Sequence, residues 1–205
     1  MQELIKKIEQ WAIDRELDKK GTVEGQSIKT AEEIAELIKG VSKDDMDLIK
    51  DSIGDVFVTF VIGNMLDEKS DIEEIYKEAK RNLEAHWKEN KKYGIDYLAQ
   101  TITDIIRDGY YEDSLFYGLI SLLIIVDIYN LDFKNCVEIA YNEIANRKGK
   151  MINGTFVKSE DLPMKKLKNN VEFLDSRANS EKQELPYEIT DMQGMFAINN
   201  TDIPF

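Results

Sequence analysis

Apolar positions recur along most of this chain at intervals of three and four, the period of helices, and rarely in the alternation of a strand. Leu4, Ile5, Ile8, Trp11 and Ala12 trace a first helix over about residues 2–18, ending near Lys20-Gly21. After a loop over 21–26, Gln26 or Ser27 opens a second helix. There Ala31, Ile34, Ala35 and Ile38 form the expected core-facing stripe, while Lys29, Glu32, Glu33 and Glu36 share a separate face at ~100° per residue. Gly40-Val-Ser-Lys-Asp44 links this helix to a third, with Ser42 placed to cap it. The third carries Asp55-Val-Phe-Val-Thr-Phe-Val-Ile, apolar on nearly every side and so expected to be buried. So short a link favours an antiparallel pair, with Glu33 and Glu36 facing Asp51 and Asp55. A charged helix over about 70–92, stopped by Tyr93-Gly94, and helices at about 95–108, 112–129 and 132–148 complete the series. Gly149 stands where a C-cap glycine belongs, and Met151 to Val157 reads as a short hairpin around Asn153-Gly154. The pattern predicts an all-α domain over residues 1–162. From about 164 it loosens into polar stretches, and residues 163–205 read as a mobile tail.

Charge and composition narrow the chemistry. Twenty-seven basic against forty acidic residues give a formal net charge of −13, which argues against direct nucleic-acid binding through a basic surface. The single cysteine, Cys136, leaves no intrachain disulfide and fits a reducing cytoplasm. The single histidine, His86, excludes multi-histidine metal sites and lies in the charged helix, where a surface role is the default. No Walker-type Gly-x-x-x-x-Gly-Lys-Ser/Thr occurs, and Met1-Gln-Glu-Leu-Ile-Lys-Lys lacks the apolar run of a signal peptide. The most apolar stretch, Leu115 to Ile128, is shorter than the ~20 residues that span a bilayer, so a core helix is expected and no membrane partner.

The carboxylates carry the chemical signal. Asp55 enters a buried run, and an ionised carboxylate there must be paired, neutralised or bound to a cation. Only Lys29, Lys39, Lys43 and Lys50 lie near in sequence, while Glu32, Glu33, Glu36 and Asp51 add negative charge. Clustered oxygen ligands short of counter-charge suit a hard divalent ion such as Mg²⁺, with Mn²⁺ as a substitute.

Glu32-Glu33-x-x-Glu36 followed by the Gly54-Asp55 helix resembles the all-α nucleoside triphosphate pyrophosphatases, the MazG and dimeric dUTPase superfamily. Trp11-Ala-x-Asp14-Arg15-x-Leu17, Gly21-Thr22, Gln26-x-x-Lys29 and Asn146-Arg147-Lys148-Gly149-Lys150-Met151-Ile152-Asn153-Gly154 are similar to segments of the MazG-like proteins of phages and prophages. The resemblance covers most of residues 8–66 and 132–162. It implies catalytic helices at about 27–66 and conversion of a nucleoside triphosphate to monophosphate and pyrophosphate. Glu33, Glu36 and Asp55 would be the main metal ligands, with Asp51 and Glu32 completing or orienting the shell. Lys29, Arg147, Lys148 and Lys150 are candidate phosphate contacts, and Trp11 and Gln26 could hold the base by stacking and hydrogen bonding. Lys29 can equally pair with Glu33 along the helix, and Trp11 can equally be core.

Two departures and two further features complete the reading. Short phage MazG-like chains pass almost directly from the Gly-Asp helix to the Asn-Arg-Lys-Gly-Lys segment, whereas extra helices at about 95–130 intervene here. The wider family would place a glutamate at position 52, where this chain has Ser52. Ile34 to Gly40 resembles Ile102 to Gly109, and the helix at Gly54 resembles that at Gly118, with Leu119 and Thr101 where the first copy has Asp55 and Glu33. That pattern predicts an inserted or duplicated second helix set, an empty copy packed on the first. The abundance of apolar helix face also suggests a homodimer or higher oligomer. Finally, Asp202-Ile203-Pro204-Phe205 resembles the C-terminal tip of bacterial single-stranded-DNA-binding proteins, which would dock on a host replication or repair factor. The expected function is therefore a Mg²⁺-dependent pyrophosphohydrolase in the cytoplasm, of a bacterial host if phage-encoded. The alternatives are a dedicated dUTPase or dCTPase of the same fold, and an interaction protein acting through its tail.

Overall fold

A computed structural model of the chain describes residues 1–84, 93–152 and 155–160. In order these form α1 (Gln2–Asp14), α2 (Leu17–Lys20), α3 (Val23–Lys43), α4 (Met46–Asp67), α5 (Ile72–Asn82), α6 (Tyr93–Asp108), α7 (Glu112–Ile128) and α8 (Phe133–Ala145). An antiparallel hairpin of β1 (Gly149–Ile152) and β2 (Thr155–Lys158) follows, in the register Gly149 opposite Lys158 and Met151 opposite Phe156. The protein is all-α in class, and the described residues belong to one unit, Met1–Leu162. The Asn153-Gly154 turn, His86 and the tail with Asp202, Ile203, Pro204 and Phe205 lie outside the described residues.

The centre is the α3–α4 pair. Gln26 bonds the Thr59 carbonyl, Glu33 and Glu36 act by charge on Asp55 and Asp51, and Gly40 abuts Ile49. Position falls along one helix as it rises along the other, so the pair is antiparallel, as the short link requires. Residues 56–64 of α4 are buried throughout, because α1, α3, α5, α7 and α8 all pack against it.

Local capping moves several expected boundaries. Thr22 caps α3 by accepting the Gly25 N–H at 3.0 Å, so the helix starts before Gln26. Ser42 caps nothing: α3 continues to Lys43, and Asp45 caps α4 by accepting the Leu48 N–H. Tyr93 and Gly94 open α6 rather than closing α5. The first helix breaks at Arg15-Glu16, where Glu16 takes φ 61°. Helix α8 ends at Asn146, and Gly149 instead begins β1, where an added Cβ would run into the Val157 carbonyl and the Phe156 ring.

The buried stripe of α3 is also displaced from the one expected. Thr30, Glu33, Ile34 and Leu37 are buried, whereas Ala35 is exposed. Polar residues enter this interface because partners await them. The Thr30 hydroxyl meets the Tyr110 hydroxyl at 2.7 Å, and Lys29 neutralises Glu33.

Helices α6 and α7 form a second pair, with α6 against α3 and α7 against α5 and α4. Thr101 and Leu119, which the internal repeat aligns with Glu33 and Asp55, are buried there, and Thr101 donates only to the Tyr97 carbonyl of its own helix. Tyr110, in the loop between α6 and α7, pins this pair to the first, its ring seated over Gly63 where no side chain would fit. Among the described residues no single helix is long and apolar enough to cross a membrane, and the α7–α8 pair is bent by 108°.

Candidate active site

A cleft of about 240 Å³ opens between α1, α3, α4 and the segment from the end of α8 into β2. Trp11, Gln26, Lys29, Glu32, Glu33, Asp55 and Arg147 all line it, so seven of the sequence candidates converge. The cleft has two chemically distinct ends.

At the charged end, Glu33 is only 7% exposed, and its Oε1 lies 2.6 Å from the Lys29 ammonium. The same ammonium reaches the exposed Glu32 at 2.9 Å. Burial pulls the Lys29 pKa down, but the bonds to Glu33 and Glu32 outweigh it, and the net shift is upward. On α4, Asp51 and Asp55 stand one turn apart. Burial first, then the charges of Glu33, Asp51 and Glu143, push the Asp55 carboxyl up to about 7, with Arg147 offsetting part of the rise. Asp51 is raised by burial and by Glu143 and Glu36, against Arg147 and Lys158. Asp51 and Asp55 thus respond to overlapping charges. Ser52, where the family resemblance would place glutamate, is buried with no hydrogen-bond partner for its hydroxyl among the described residues.

Carboxylates outnumber cations around this end. Glu33 and Asp55 line the cleft with Lys29, Arg147 and Lys158, while Glu36, Asp51 and Glu143 are not in its lining and bear on Asp51 or Asp55 by charge. An oxygen-rich set short of positive charge, with one member driven toward neutrality, fits a hard divalent cation. Among the described residues no group of three or more His, Cys, Asp or Glu side chains is already assembled to hold one. Lys29 and Arg147 instead engage Glu33 and Glu143 by ion pairing.

At the other end Trp11 and Phe156 meet edge to face, with ring centroids 5.5 Å apart. The Trp11 indole N–H donates to the Ile144 carbonyl at 2.7 Å, which fixes the ring. Trp11 is therefore both core and cleft wall. Gln26 donates through Nε2 to the Thr59 carbonyl at 3.2 Å, so its amide is held by α4.

Two expected phosphate contacts are not in this cleft. Lys148 is exposed and contributes only its carbonyl, to the Ser159 N–H, and Lys150 takes an outward position of β1. The hairpin register brings Lys158 and Phe156 to the site instead. Sequence reasoning also passed over Glu143, although its position four residues before Arg147, within the helix expected over 132–148, is an ion-pair signal.

No family model matches the chain, and no solved structure does. Over 62 residues it is 56% identical to an uncharacterized 18.2 kDa protein from the rep–hol intergenic region of Haemophilus phage HP1. That match covers 30% of this chain and 38% of the phage protein, so the chain spans well under half of the relative's length.

Proposed function

We propose that this protein is a divalent-metal-dependent pyrophosphohydrolase of nucleoside triphosphates, of the MazG-like kind that its motifs resemble. One observation carries the reading: Glu33 and Asp55 line one cleft across the α3–α4 pair, where burial and then the charges of Glu33, Asp51 and Glu143 raise Asp55 to about 7. Glu33, Glu36, Asp51 and Asp55 would hold Mg²⁺, with exposed Glu32 at the margin. The ion when bound supplies charge stabilisation at phosphate oxygens and a more acidic water.

The remaining work falls to the chain's own side chains. One of these carboxylates can take the proton of the attacking water. Lys29, Arg147 and Lys158 line the same cleft and can offset the charge that develops on the departing pyrophosphate. The wall formed by Trp11 and Phe156 offers an apolar surface for a nucleobase. Such a site needs no serine, cysteine or histidine nucleophile, because positioning and charge neutralisation carry the reaction.

The test is a panel of ribo- and deoxynucleoside triphosphates, assayed for pyrophosphate and for orthophosphate, with Mg²⁺ and with chelator. Pyrophosphate release that needs the metal is the expected result. A single preferred deoxynucleotide would mark a dedicated dUTPase or dCTPase. A folded protein that turns over none of the panel would contradict the reading.

A further inference from the structure

Arg15 lies outside the lining of the cleft, yet its guanidinium is committed to the elements that form one wall. Nε and Nη2 donate to the Arg147 carbonyl at 3.2 and 2.9 Å, Nη2 also donates to the Ala145 carbonyl at 3.1 Å, and Nη1 donates to the Trp11 carbonyl at 3.2 Å. The guanidinium plane also sits over the Trp11 ring, 4.4 Å from its centroid. The Ala145 and Arg147 carbonyls belong to the last turn of α8 and the residues just beyond, groups with no partner inside their own helix. A cation is favoured there by the helix dipole as well. The break between α1 and α2 at Arg15-Glu16 leaves Arg15 at the end of α1, beside the tip of α8.

The consequence is a connection between the two ends of the cleft. One side chain fixes the backbone of Arg147, whose own guanidinium pairs with Glu143 and acts on Asp51 and Asp55. The same side chain braces Trp11, which bonds Ile144 and meets Phe156. Lysine could supply the charge but not this fork of four donations.

We infer that Arg15 is a positioning residue for the hydrolytic reaction: it sets the Arg147 guanidinium against the Asp51–Asp55 face while holding Trp11 in the adjoining wall. The inference rests on the pyrophosphohydrolase reading above.

A double-mutant cycle tests it. Arg15→Gln, Arg147→Ala and the combination are compared with the parent on its best triphosphate, with kcat and KM separated and folding checked by thermal melting. Arg15→Gln is expected to lower kcat/KM by roughly tenfold or more, as loss of a supporting contact around an active group does. Most of that loss should vanish on the Arg147→Ala background, leaving about threefold or less, because residues acting through one another are not additive. Arg15→Lys, run through the same cycle, serves if the glutamine variant does not fold, and is expected to show the same coupling. An equal loss in both backgrounds, or none in the parent background, would overturn the positioning role while leaving the enzyme reading intact. A parent inactive on every triphosphate removes both, and is recognised from the parent alone.

Discussion

Asp55 concentrates the chemistry of the site in one group, and its ionisation gives a prediction free of any substrate. Its carboxyl titrates near 7 in the fold against 3.8 as the ordinary value. Between those pH values the folded chain keeps a proton that the unfolded chain releases, so this group's contribution to stability declines as pH rises from about 4 to about 7 and is flat above. Asp55→Asn removes that penalty. Without divalent ions, the variant is expected to melt above the parent at pH 8, by an amount on the order of 2–4 kcal/mol at most, and the gap should close toward pH 4. Thermal melts across that range check it; a gap that does not change with pH would contradict the charge crowding around Asp55. At this scale the sequence was informative where spacing along one helix carried the signal. Glu33 and Glu36, and Asp51 and Asp55, could be read as two facing pairs. Glu143, Phe156 and Lys158 are distant in the chain, and they reach the site only through the packing of α8 and the register of the hairpin. Lys148 and Lys150 follow Arg147 in the segment that carries the resemblance, but Lys148 is exposed ahead of β1 and Lys150 takes an outward position of the strand, so proximity in sequence to Arg147 does not put them in its cleft.

Helix packing converts those residues into a site. Helix α8 can deliver Glu143 and Arg147 to α4 because Gly54 leaves room: an added Cβ would collide with the Cys136 carbonyl and the Ala140 side chain. The neighbour is backbone, so it cannot yield cheaply. Gly54→Ala is expected to destabilise the protein by about 1–3 kcal/mol through overpacking. In folded variant protein it should also lower kcat more than KM, since Arg147 is displaced from Asp51 and Asp55. Denaturant melts and steady-state rates check both parts; wild-type stability and rates in this variant would show that the close approach is unimportant. The existence and order of the helices were legible because the three-and-four period is repeated through the apolar runs of α1, α3, α7 and α8. Their ends were not. Thr22 starts α3 ahead of Gln26 and Ser27, and Asp45 caps α4 in place of Ser42, through bonds that periodicity does not encode. The stripe of α3 was misplaced for a related reason. Apolarity alone selects Ala35 and Ile38, whereas Thr30 and Glu33 are buried by partners contributed from Tyr110, far along the chain, and from Lys29.

The molecule as a whole carries a formal net charge of −13, which repels a triphosphate at long range. Affinity must therefore come from within the cleft, from Lys29, Arg147, Lys158 and the divalent ion that the carboxylates are proposed to hold. Among the described residues the second helix pair, α6–α7, adds nothing to the lining of that cleft: at the positions the sequence repeat aligns with Glu33 and Asp55 it buries Thr101 and Leu119, and Tyr110 fastens it to α3 and α4. Its helices were legible in the sequence from their own apolar pattern, while the fastening through Tyr110 over Gly63 had no local signature. The likeness to a phage protein extends over less than a third of the chain, so the activity is decided by chemistry on this protein. The measurement that bears most directly on it is Mg²⁺-dependent pyrophosphate release by the parent beside Glu33→Gln and Asp55→Asn, with each variant shown to be folded. The account predicts release in the parent, abolished by chelator and reduced by at least about a hundredfold in both variants, the scale expected when a group acting on the transition state is lost. Undiminished release from either variant, or release that survives removal of the metal, would contradict it.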